Sequence, residues 1–240
     1  MKYVYDGTFE GFLSTLFDAY KIIEKIEIIE ESDQIDFFED VIRTQNSEEK
    51  AQRVADAIKN KISKYFFREV SLCHLSKDPK KDTVIARVIK SVFQRGLVYM
   101  SSVDANVIGF KSMIKNILSE NHTYKGLLRF KKIQNSFLFA QIEPDNDILQ
   151  ILVPHFINRL PREKFIIYDV GRKYCAVYCQ GEVRFLKVED PKIIYDNNED
   201  FIEEAWKNFY NSVRIDNRRN IRLMKTNMPI KYWKYLPERR

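Results

Sequence analysis

From Thr8 onward, Phe9, Phe12, Leu13, Leu16, Phe17, Tyr20 and Ile23 recur at i, i+3, i+4 and i+7. That is the spacing of an amphipathic helix, and Thr8 stands where an N-cap belongs. Lys2–Tyr5 before it reads as a short strand, and Ile26–Ile29 after it as a second. Asn46 with Glu49 resembles a capping box. The helix they open places Ala51, Val54, Ala55, Ile58, Ile62, Tyr65 and Phe66 on one face. Asp78-Pro79 suits a cap and a first helical position. Val84, Ile85, Val88, Ile89, Val92 and Phe93 then line up, with Gly96 as terminator. Asp104 opens a further helix through Val107, Phe110, Ile114, Ile117 and Leu118.

Near residue 123 the period changes. Leu127–Ile133 and Phe137–Ile142 are β-type runs separated by Gln134-Asn135-Ser136, the pattern of a hairpin. Ile148, Leu149, Leu152, Phe156 and Leu160 predict a helix with Asp145 as its cap and Pro161 closing it. Three more strands follow at 165–170, 174–179 and 183–186, with Gly171-Arg172 and Gln180-Gly181 at the turns. A last helix carries Phe201, Ile202, Ala205, Trp206, Phe209, Tyr210 and Val213. The pattern predicts an α+β fold: an antiparallel sheet of about five strands with helices packed mainly on one side. Residues 1–240 are expected to form one domain with a basic tail at 213–240, the alternative being a split near residue 120.

Composition narrows the class. At 240 residues, 45% hydrophobic and 13% aromatic, the chain can bury a core, which excludes disorder. No apolar run approaches the ~20 residues that span a bilayer, and no signal-peptide core follows Met1. A cytoplasmic protein is expected. Cys73, Cys175 and Cys179 are an odd set without metal-type spacing, expected as reduced thiols. No metal and no cofactor are expected: the sequence has no P-loop, GxGxxG, GxSxG or HExxH.

The formal charge of +6 is unevenly placed. Residues 1–50 carry five basic and thirteen acidic side chains, whereas residues 213–240 carry nine basic and two acidic. Such asymmetry bears on partners rather than fold. The acidic run from Glu24 to Asp40 reads either as a solvated connector or as a docking surface for a basic partner. Arg214, Arg218, Arg222 and Lys225, with Arg219 beside them, fall on one helical face. Lys231-Tyr232-Trp233-Lys234-Tyr235 then alternates cations with rings. Cations for phosphates and rings for bases are what single-stranded nucleic acid requires. The alternative is a tail whose aromatic residues, Trp233 among them, dock on the core while its charges stay in water.

Two further segments carry candidate chemistry. If His122–Phe130 is extended, Lys125, Leu127 and Arg129 share a face, and with His122 they make a cationic platform for phosphate. A strand with a polar solvent face accounts for the same residues. Glu143 and Asp145 could form a carboxylate pair with His155 as acid or base. A capping Asp145 and a hydrogen-bonded His155 fit equally simple readings.

Together several of these segments resemble a bacterial family. They are Tyr5-Asp6-Gly7-Thr8-Phe9-Glu10-Gly11-Phe12-Leu13, His122–Phe130, Glu143-Pro144-Asp145, Pro154-His155-Phe156, Ile167-Tyr168-Asp169 and Met228-Pro229 with Tyr232–Leu236. The family is known as a "DNA metabolism protein", a domain of unknown function encoded beside a radical-SAM protein of DNA modification or repair. In other bacteria a similar domain is fused behind a uracil-DNA-glycosylase-like domain. The resemblance implies an accessory DNA-binding protein, acting on single-stranded or damaged DNA with a radical-SAM partner. The rivals are an enzyme acting on a nucleic-acid base or nucleotide, and a protein-interaction module.

Overall fold

The computed structural model describes residues 1–31, 40–133, 136–188 and 221–236. The chain forms two units, Met1–Leu118 and Ser119–Arg240. The expected helix at 201–213 and, within the acidic run, Asp33, Asp36 and Glu39 lie outside the described residues.

In the first unit β1 (Lys2–Tyr5) is flanked by β2 (Glu27–Glu30) and β3 (Val41–Arg43), both parallel to it. Parallel pairing follows from α1 (Phe9–Ala19), which carries the chain back between β1 and β2. Thr8 is its N-cap as the sequence predicts, its Oγ1 accepting from the Gly11 amide at 2.9 Å. Of the expected stripe Phe12, Leu13, Leu16 and Ile23 are buried, Phe9 and Tyr20 are half-buried, and Phe17 is exposed.

α2 (Glu48–Lys61) and α3 (Lys64–His74) replace the single helix expected from residue 46. Ile62 leaves helical geometry, and the Ser63 hydroxyl accepts from the Phe66 amide at 3.0 Å, starting a new helix. A serine offers the backbone this alternative, which periodicity alone does not register. Ser47 rather than Asn46 caps α2; the Asn46 amide donates instead to Asp6 and Thr8. Asp78 does not cap the next helix either: it holds the Lys80 amide in a turn, and α4 (Lys81–Arg95) begins later. Gly96 does end α4, with φ +76°.

Thr83 fixes α4 to the open edge of β2. Its Oγ1 accepts from the Ile28 amide at 2.9 Å and donates to the Ile28 carbonyl at 3.2 Å. A helix thus covers a strand edge that would otherwise be unpaired. Thr83→Val keeps the shape and removes both bonds, so the unit should lose about 1–3 kcal/mol in urea unfolding. A loss under half the lower figure would mean that this edge is not held by Thr83. Nearby, buried His74 Nδ1 lies 3.3 Å from Asp82 Oδ1, and burial pushes the thiol of Cys73 well above its ordinary pKa.

α5 runs from Ala105 to Leu127, with Asp104 holding the Asn106 amide at its start. In the second unit the sheet order is β4 (Lys131–Lys132), β5 (Phe137–Ile142), β6 (Lys164–Asp169), β7 (Tyr174–Cys179), β8 (Glu182–Lys187). The antiparallel expectation is corrected here. β5 and β6 are parallel, from Phe137↔Lys164 to Ile142↔Asp169, and the other pairs are antiparallel. The cause is α6 (Leu149–Arg159), a crossover between adjacent strands of one sheet. Phe156 on α6 meets Phe130, and Phe130 meets Phe165 of β6, closing one face of the sheet. Gln180 and Gly181 both have positive φ in the two-residue β7–β8 turn. The described residues beyond β8 form α7 (Ile221–Asn227) and a 3-10 helix, Ile230–Tyr235.

Candidate functional site

The parallel pair directs the carboxyl ends of β5 and β6 the same way, the edge where α/β sheets characteristically bind ligands. Two loops leave there: Glu143–Ile148 after β5, and Val170–Lys173 after β6. Glu120 and Tyr124 of α5, Arg172 of the second loop and Tyr174 of β7 hold the first loop.

Glu120, nearly fully buried on α5, accepts from the Asp145 amide at 2.8 Å, the Asn146 amide at 2.9 Å and Asn146 Nδ2 at 2.7 Å. Its neighbour one turn on, Tyr124, accepts from the Glu143 amide at 3.1 Å. From the other side, Arg172 donates to the Pro144 carbonyl at 3.0 Å and the Asp145 carbonyl at 2.6 Å. The same guanidinium reaches Asp169 Oδ2 at 3.1 Å, and the Arg172 amide reaches Asp169 Oδ1 at 3.1 Å. Asp169 is fully buried. Burial raises its pKa; Arg172 offsets only part of that. The Tyr174 hydroxyl closes the loop onto Asp147.

The C-terminal segment is laid over this frame. Lys231 Nζ lies 3.0 Å from Glu120 and 2.5 Å from Asp145; Lys234 pairs with Glu143, which also accepts from the Tyr235 hydroxyl at 2.8 Å. Burial alone would lower the Lys231 pKa, but the bonds to Asp145 and Glu120 outweigh it and hold the ammonium well above its usual range. Burial pushes the Tyr235 hydroxyl up to about 12. Tyr232 and Leu236 are the buried anchors, with Tyr232 edge-on to Tyr124 at 4.9 Å. Trp233 is half-buried, and its Nε1 donates to the Met228 carbonyl at 2.8 Å. Glu143, Asp145, Arg172, Lys231 and Lys234 line an open cleft of about 690 Å³.

The sequence-derived candidates are only partly gathered here. Glu143 and Asp145 share the cleft, but Asp145 is not the expected helix cap: α6 starts at Leu149, and the Asp145 carboxylate turns to Lys231. His155 is not among the lining residues. It sits on α6 beside Phe156, with its pKa lowered by burial and then by Lys125 and Arg159. His122 and Lys125 are helical, because α5 continues to Leu127, so the extended face with Arg129 does not form. Arg129 instead donates to the Gly126 carbonyl at 2.9 Å, closing the helix end. Arg222 and Lys225 are exposed on α7, while Arg214, Arg218 and Arg219 lie outside the described residues.

Glu120, Arg172, Lys231 and Lys234 emerge as the organising residues. Arg172 stands in a turn and Lys231 and Lys234 in a cation-and-ring run that the sequence already marks, whereas Glu120 was missed although it left a signal. It falls on the apolar stripe Phe110, Met113, Ile117, Tyr124, and a carboxylate on such a stripe requires a buried partner. Among the described residues no group of three or more His, Cys, Asp or Glu could hold a metal ion. No described helix is long and apolar enough to cross a membrane.

The second unit is thus an α+β module with a charged centre at the carboxyl ends of a parallel strand pair. Residues 79–238 match the family described as a domain of unknown function, DUF4130, and the chain belongs to that family. No curated protein matches the chain significantly.

Proposed function

We propose that the protein is an accessory nucleic-acid-binding component of a DNA repair or DNA-modification system, acting beside a radical-SAM partner. The observation that carries nucleic-acid binding is the partition of charge between the units. Residues 119–240 hold 22 Lys and Arg against 16 Asp and Glu, a net +6; residues 1–118 hold 18 of each. The whole excess therefore belongs to the unit bearing the basic C-terminal segment. α7 buries none of its residues and exposes Arg222 and Lys225 on one face, three apart. The DNA-repair setting and the radical-SAM partner rest on the sequence resemblance.

Replacing Arg218, Arg219 and Arg222 with Ala tests this directly. Fluorescence anisotropy should show weaker binding to every DNA sequence alike, and a log K against log salt slope flatter by roughly 2–3 units. An unchanged slope would remove this segment from the nucleic-acid surface. The enzyme reading draws on the cleft at the strand ends, where Glu143 and Asp145 meet. Its mark would be a turnover abolished by Asp145→Asn with DNA binding intact.

A further inference from the structure

The two lysines of the C-terminal 3-10 helix are held in unlike ways. Ile230–Tyr235 is a 3-10 helix, in which residues three apart eclipse one another, so Lys231 and Lys234 project together over the cleft. Lys231 is bound to Glu120, whose carboxylate is 6% exposed. Withdrawing its ammonium would leave a buried charge without its partner. Lys234 and Glu143 are 56% and 41% exposed, and exposed pairs of this kind are worth little. Tyr232 and Leu236, buried on either side of Lys234, keep the backbone seated whether or not that side chain moves.

From this asymmetry we infer that Lys234 is a phosphate-contacting residue held in reserve, with the Glu143 carboxylate occupying the place of a nucleic-acid phosphate in the free protein. The inference rests on the nucleic-acid reading and names a residue and a regulation for it. A polyanion approaching the cleft meets a lysine already positioned, paired with a solvent-exposed carboxylate and resting over the Tyr235 ring at 4.9 Å. The exchange swaps one anion for another, leaving Lys231, Tyr232 and Leu236 in place. The Tyr235 hydroxyl, which also donates to Glu143, steadies that carboxylate once the lysine has left.

Glu143→Gln removes the competing charge and keeps an acceptor for Tyr235. Anisotropy titrations with short oligothymidylate and with duplex DNA should show affinity raised up to about fivefold at low salt. The salt slope should steepen by roughly 0.7 on the single strand and 0.9 on the duplex, one phosphate in each case. Adding Lys234→Ala to Glu143→Gln should cancel both gains, with thermal midpoints unchanged throughout. Wild-type binding that Glu143→Gln leaves unaltered overturns the reserve while sparing nucleic-acid binding. A gain that persists in the double variant overturns it too, since relief of general repulsion would then be the cause. If neither wild type nor variant binds DNA at low salt, the functional reading falls and this inference falls with it.

Discussion

Arg172→Ala is expected to cost ~3–5 kcal/mol of unfolding free energy at pH 7, the penalty of stripping a buried charge of its partner. Asp169 is fully buried, and Arg172 is its bidentate neighbour through side chain and backbone. The same guanidinium holds the Pro144 and Asp145 carbonyls, so the first loop of the cleft loosens as well. The loss should depend on pH in a stated direction. Burial raises the Asp169 pKa above its ordinary 3.8, so the folded protein holds that proton to a higher pH than the unfolded chain. The associated stability is fully present below 3.8 and is lost as pH rises through the folded value. Removing Arg172 raises the folded value further and widens the window. Urea unfolding should therefore show a smaller deficit at acid than at neutral pH, and Asp169→Asn should recover part of it. A pH-independent deficit would mean that Asp169 is not the source.

Glu120→Ala is expected to be of similar size, ~3 kcal/mol, for a different reason. It strips the part-buried Asp145 amide and the buried Asn146 amide of their acceptor and deprives Lys231 of its buried partner. Glu120→Gln retains an acceptor and should lose less. Hydrogen exchange separates this role from simple packing: the amides of 230–236 should exchange faster in the Ala variant while those of α4 stay protected. Uniform acceleration across both would show that Glu120 supports the fold generally and does not seat the C-terminal segment.

Local chemistry was legible wherever the decision was local. Thr8 capped α1, Gly96 ended α4 and Gln180-Gly181 turned β7 into β8, because each depends on a few adjacent residues. The parallel pairing was also implicit in the strand–helix–strand order around Leu149–Arg159, since a helical crossover cannot give a hairpin. Of the site, Glu143 and Asp145 were legible as candidates, but their pairing with the C-terminal lysines was not. Lys231 meets Asp145 across 86 residues and Glu120 across 111, and no spacing rule reaches so far. Asp145 looked like a cap because an aspartate before an apolar run usually is one. A lysine from the end of the chain took it instead, leaving α6 with no side-chain cap at Ile148.

The family match begins at residue 79, just ahead of α4. That helix packs Ile85, Ala86, Val88, Ile89 and Val92 into a core shared with Tyr5, Phe12, Ile28 and Phe66, all of which precede the matched region. Translated alone, residues 79–238 would keep Tyr99, Val107, Phe110 and Met113 in that core but expose the apolar ridge that Tyr5, Phe12, Ile28 and Phe66 complete, and such ridges drive self-association. Any chain that inherits the matched segment must therefore also inherit, or improvise, a lid for that ridge. In this chain the strands and helices before Pro79 are that lid.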